Sequence, residues 1–242
     1  MKKLYLLALS ALSLCLASCY EIEDLEQAYK EQYKQTEISE IEFATNFVDQ
    51  ITFMRLHFSV THYKNDCTLT LHYTDVEGAD PFQTGNTNDI TSLLSDPNNG
   101  TVFGIHCELG NLMPETRYWA GISYRDPGCE TLRSKVVNFT TEGIERGSDC
   151  YDYGSDYRGV RAKFERVPMG STYGCLIGTE TNLTLDHCLE SRVVGTHTIG
   201  DNEEIFRERF EGLQPGITYY YRSYVTYRGR TYYSRVNELY RW

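Results

Sequence analysis

The chain has 242 residues, enough for one or two domains, with 40% hydrophobic residues and a formal net charge of −11. That charge repels phosphate backbones, which excludes nucleic acid as an expected partner. The one long apolar run, Leu4 to Leu14, is too short to cross a bilayer, since a spanning helix needs about 20 apolar residues.

Lys2 and Lys3 precede that run, which is the layout of a secretory signal. Leu16-Ala17-Ser18-Cys19 follows and resembles the lipobox of bacterial lipoproteins. The resemblance implies a signal peptide over 1–18 and cleavage before Cys19. It also implies thioether-linked and amide-linked acyl chains (palmitate among them) that hold the protein to the outer membrane. Each buried methylene contributes about 0.8 kcal/mol, so several chains make a durable anchor. Residues 19–36 read as an acidic tether, with helix-like spacing at Leu25, Ala28, Tyr29 and Tyr33. The acidic run Glu21 to Glu26 has two readings: a plain tether, or a signal for surface exposure like that of some Gram-negative lipoproteins.

From about residue 37 the pattern has period two. Met54, Leu56, Phe58 and Val60 alternate with polar residues, and so do Cys67, Leu69, Leu71 and Tyr73. Such alternation predicts strands with one buried face. Glu77 to Gly100 is rich in Gly, Pro, Asn and Asp and reads as loop and turn. The chain then repeats itself. Leu112-x-Pro114-x-x-x-Tyr118 recurs as Leu213-x-Pro215-x-x-x-Tyr219, Ser134-Lys-Val136 as Ser234-Arg-Val236, and Arg55-x-x-Phe58 as Arg161-x-x-Phe164. A repeat of about 100 residues marks two copies of one domain.

The Leu-x-Pro-x-x-x-Tyr motif, the alternating strand after it and the strand ending in Phe139-Thr140-Thr141 resemble a fibronectin type III domain. The second copy, with Tyr219-Tyr220-Tyr221-Arg222-Ser223-Tyr224, is similar to the type III-like modules of bacterial surface lipoproteins. The resemblance implies an all-β fold of two tandem immunoglobulin-like β-sandwiches, over 37–143 and 144–242. It gives Tyr118 and Tyr219 a structural role, their hydroxyls bonding nearby backbone, and makes Leu112 and Leu213 core plugs. It also suggests how six cysteines left after signal cleavage and lipidation would pair: Cys67 with Cys129, Cys107 with Cys150, and Cys175 with Cys188. Free buried cysteines are the alternative.

No catalytic signature is present: no G-x-S-x-G, H-E-x-x-H, P-loop or G-x-G-x-x-G. The six histidines suggest no metal site, though His57 and His106 fall on strands that could be neighbours. No cofactor is expected. By alternation Tyr220, Arg222 and Tyr224 point outward, with Tyr232 or Tyr233 on the next strand and Trp119 as the outward residue of the first copy. Exposed rings can stack on sugars or grip a protein, but cross-strand aromatics also stabilise sheets by themselves. The sequence therefore predicts a lipid-anchored, surface-exposed envelope protein that is not an enzyme. Its expected role is a binding or adhesion module for a glycan or a protein, with a structural spacer or assembly subunit as the alternative.

Overall fold

The computed structural model describes residues 36–43, 51–94, 101–127, 130–153, 157–196 and 204–239. The signal, Cys19 and the tether up to residue 35 lie outside them. The described chain is all-β apart from two short helical turns, and every strand pairing is antiparallel.

The first half contains β1 (Glu37–Ile38), β2 (Glu42–Phe43), β3 (Met54–Thr61), β4 (Thr68–Thr74), the helical turn α1 (Pro81–Thr84), β5 (Asn86–Asp89), a 3-10 turn (Thr91–Leu93), β6 (Thr101–Leu109), β7 (Arg117–Arg125), β8 (Leu132–Arg133) and β9 (Val137–Thr140). One sheet has β3 between β6 and the pair β1 and β2; the other runs β5-β4-β7, with β8 and β9 along the far edge of β7. The second half contains β10 (Glu145–Tyr153), β11 (Tyr157–Glu165), β12 (Thr172–Gly178), β13 (Glu190–Thr196), β14 (Glu204–Glu211), β15 (Tyr219–Tyr227), β16 (Arg230–Tyr233) and β17 (Asn237–Leu239). They form a β10-β11-β14 sheet and a β13-β12-β15 sheet, with β16 and β17 along β15.

Alternation decides the packing. Met54, Leu56, Phe58 and Val60 of β3 are buried, and they meet Leu69 and Leu71 of β4 and Ala120 and Ile122 of β7 in one hydrophobic core. Val160, Ala162 and Phe164 of β11 meet Cys175 and Ile177 of β12 and Tyr219, Tyr221 and Val225 of β15 in a second. Each fully buried aliphatic or aromatic side chain stabilises by about 1.5–3 kcal/mol. Among the described residues no strand pairing joins 37–140 to 145–239, so the two cores belong to two sandwich-like units. The stretch read as loop after Glu77 contains more order than its composition predicts. Asp80 caps α1 by accepting the Phe82 N–H at 2.9 Å, and β5, all of whose residues are exposed, pairs with β4.

The repeated residues hold backbone. The Tyr118 hydroxyl accepts the N–H of Met113 at 2.8 Å, and the Tyr219 hydroxyl accepts the N–H of Gln214 at 3.0 Å. The Ser134 Oγ accepts the Ile122 N–H at 2.9 Å, while its own N–H donates to the Ile122 carbonyl. Ser234 does the same with Ser223. These serines stand where the last strand of each unit breaks, between β8 and β9 and between β16 and β17.

The turn Asn111–Thr116 of the first unit is gripped by the second. Arg228 donates to the Asn111 carbonyl at 2.8 Å and Arg230 to the Thr116 hydroxyl at 3.1 Å. The Tyr232 hydroxyl donates to the Pro114 carbonyl at 3.3 Å, and Arg146 pairs with Glu115. Ile51 and Met113 extend the second core towards this junction.

Candidate functional site

The outward row of β15 is covered. Tyr220 and Arg222 are half-buried, and Tyr224 is only 2% exposed. The cause is the segment between β12 and β13, which folds across the outer face of the sheet. Leu183, Leu185 and Cys188 from it pack on Leu176, Tyr224 and Tyr233 in a small third cluster. Arg222 donates to the Leu183 carbonyl at 2.9 Å and lies over the Tyr233 ring, whose hydroxyl accepts the Leu185 N–H at 3.2 Å. Tyr232 is turned inward, 3% exposed, and serves the second core and the junction. Trp119 is half-buried on β7 of the first unit, with the Arg117 guanidinium 5.3 Å from its ring centre. The five residues therefore do not form one exposed face.

The first unit covers its matching face in a similar way. Turn α1 sets Phe82 on Gly121, where a Cβ would meet the ring at 2.4 Å, and Arg133 lies over the same ring. His72 packs beside Phe82, and its Nε2 is 2.8 Å from the Ser123 hydroxyl. Burial, helped by the nearby Arg133 charge, lowers the His72 pKa and favours the neutral imidazole.

The cysteines do not form the expected bridges. No disulfide joins Cys107 to Cys150 or Cys175 to Cys188. Cys107 faces the first core and Cys150 packs against the second, which separates them. Cys175 points into the second core, whereas Cys188 lies on the other side of the same sheet. Cys129 is outside the described residues, and with it the pairing with Cys67. Burial pushes the Cys107 thiol up to about 11 and the Cys175 thiol up to about 12, so neither is a ready nucleophile. His57 and His106 are register partners with stacked rings 4.8 Å apart. Among the described residues, no three His, Cys, Asp or Glu side chains converge on a point that could hold a metal ion.

One face carries a concentration of charge that the repeat did not advertise. On β11, Val160, Ala162 and Phe164 point inward, so Tyr157, Arg161 and Lys163 point outward. On β14, Phe210 points inward, so Arg207 and Arg209 point outward, and both are exposed. Arg161 and Arg207 are register partners. The Arg207 guanidinium lies 5.4 Å from the centre of the exposed Tyr151 ring, and that of Arg209 lies 4.1 Å from the centre of Tyr157. Arg161 also pairs with Asp149, and Lys163 with Glu165, both at the surface. Beside Lys163 a groove of about 360 Å³ is lined by Arg146, Gly147, Lys163 and Glu165. The signal was present in the sequence as outward positions of two alternating strands, but their adjacency depends on a register between segments some 40 residues apart.

No protein-family model matches the chain, and no curated protein is significantly similar to it. Among the described residues no helix is long and apolar enough to cross a membrane.

Proposed function

We propose that this chain is a lipid-anchored lipoprotein of the bacterial outer membrane, held through Cys19 and facing the cell surface. Its two units, over 37–143 and 144–242, are fibronectin type III-like. In support of that, each carries a buried tyrosine whose hydroxyl accepts an N–H from the turn just before its strand. It acts as a non-catalytic binding or adhesion module for a glycan or a protein.

The observation that carries this reading is the outer face of β10, β11 and β14. It presents arginine and tyrosine side chains outward, where a partner can reach them, unlike the covered faces of β4–β7 and β12–β15. Arginine and tyrosine are the side chains most often central to binding faces. The test is twofold. Metabolic labelling with a palmitate analogue should mark the wild-type chain and not Cys19→Ala. A glycan array, together with binding to whole cells, should then show a specific ligand; a chain that is never acylated, or that binds neither glycan nor protein, argues against the reading.

A spacer or assembly subunit is the second reading, favoured by the grip of Arg146, Arg228, Arg230 and Tyr232 on the turn at Asn111–Thr116. It predicts a stable envelope complex and no soluble ligand.

A further inference from the structure

We infer that the outer face of β10, β11 and β14 binds an acidic polysaccharide, through carboxylates held by Arg207 and Arg209, with Arg161 and Lys163 along the same band. This rests on the binding-module reading above and names the ligand class for it.

Four cations share the face, Arg161 paired with Asp149 and Lys163 with Glu165. Arg161 stands directly opposite Arg207, Lys163 lies two residues further along β11, and Arg209 lies two residues along β14 in the opposite direction, beside Gly159. The cations thus form a diagonal band over four residue steps, roughly 13 Å long at about 3.3 Å per residue. Like charges directly opposite each other on neighbouring strands are destabilising. Asp149 offsets that repulsion by pairing with the Arg161 fork, which leaves the exposed Arg207 and Arg209 as the guanidinium groups most open to an incoming anion. The forked geometry of arginine suits a carboxylate, which accepts two parallel N–H bonds.

The shape of the face selects the occupant. The band crosses two strands, so the ligand lies flat over the sheet and does not extend its edge. Both edges of β11 are already paired, by β10 and β14, so the centre of the face has no backbone groups for a peptide ligand to pair with. Tyr151 and Tyr157 border the band, each with a guanidinium over one ring face, and their remaining ring surface suits sugar rings. At the Lys163 end Gly147 has open space where a side chain would stand, which leaves room for a chain to continue through the groove. Duplex DNA carries a charge about every 1.7 Å, and the acidic body opposes so dense a polyanion. A polysaccharide with one carboxylate per sugar is a sparser polyanion and meets less of that repulsion.

The test uses the full chain, purified in detergent, on immobilised polygalacturonate, on the same polymer fully methyl-esterified, and on a neutral glucan. Binding to the acid form is expected, at least about tenfold weaker on the ester, and weaker again as salt is raised. Arg161→Ala/Arg207→Ala should lose about tenfold or more on the acid form. Arg209→Gln, an exposed single change, should lose less while keeping the wild-type unfolding midpoint. Equal binding to acid and ester, or binding unaffected by these variants, overturns the inference. Binding to the neutral glucan but not the acid polymer overturns it while leaving the binding-module reading standing. Absence of binding to all three polymers, together with an empty glycan array, overturns both.

Discussion

Tyr224 lies so close on Gly174 that a Cβ at the glycine would stand 2.7 Å from the tyrosine hydroxyl oxygen. The same Cβ would stand 2.0 Å from the Arg192 carbonyl oxygen. The missing side chain at 174 is thus what lets Tyr224 lie flat and the segment carrying Leu183 close over it. Gly174→Ala should destabilise by about 1–3 kcal/mol, the usual cost of overpacking, whereas Gly147→Ala, with open space around it, should leave stability within about 0.5 kcal/mol. Denaturant unfolding of both variants checks this; equal effects would contradict it.

The tyrosines divide by what their hydroxyls touch. Tyr118 and Tyr219 accept a backbone N–H, while the buried Tyr224 hydroxyl has no partner among the described residues. Removing a made hydrogen bond costs about 1 kcal/mol, and removing an unsatisfied buried hydroxyl costs nothing or stabilises. Tyr118→Phe and Tyr219→Phe should each lower stability by about that much, and Tyr224→Phe should hold or raise it. A loss for Tyr224→Phe matching that of Tyr219→Phe would show a partner for its hydroxyl.

Cys175 makes the protein sensitive to alkali. Burial holds its thiol protonated, from an ordinary pKa of 9.0 up to about 12, with the Glu208 charge acting in the same direction. The unfolded chain loses that proton first, so the stabilisation is complete below pH 9 and disappears as pH rises towards 12. Stability of the wild type should fall over that window, and Cys175→Ala should show a shallower fall. The folded protein should also resist thiol alkylation at Cys175 at neutral pH. Rapid labelling there without unfolding would contradict its burial.

Some of this was legible in the residues and some was not, for physical reasons. Period two placed Leu56, Phe58, Leu69 and Leu71 inside, because a strand with one wet face must alternate. The 100-residue repeat was legible because Tyr118, Tyr219, Ser134 and Ser234 each hold backbone at a fixed place. Strand β5 was not, since its side chains are exposed and its contribution is ladder hydrogen bonding, which leaves no apolar pattern. Alternation aimed Tyr224 outward correctly, yet the cover over it comes from a polar segment in which Leu183 is the buried anchor. Two of the cysteine pairings failed because a bridge needs its two Cα atoms within about 7 Å and its side chains facing each other: Cys107 and Cys150 belong to different cores, and Cys175 and Cys188 lie on opposite faces of one sheet.

The most direct measurement is a map of backbone amide shifts in the full chain as polygalacturonate is added. The account predicts that perturbations gather at Gly147, Tyr157, Arg161, Lys163, Arg207 and Arg209. Perturbations centred instead on Trp119, Tyr220 and Arg222, or none at saturating polymer, would contradict it.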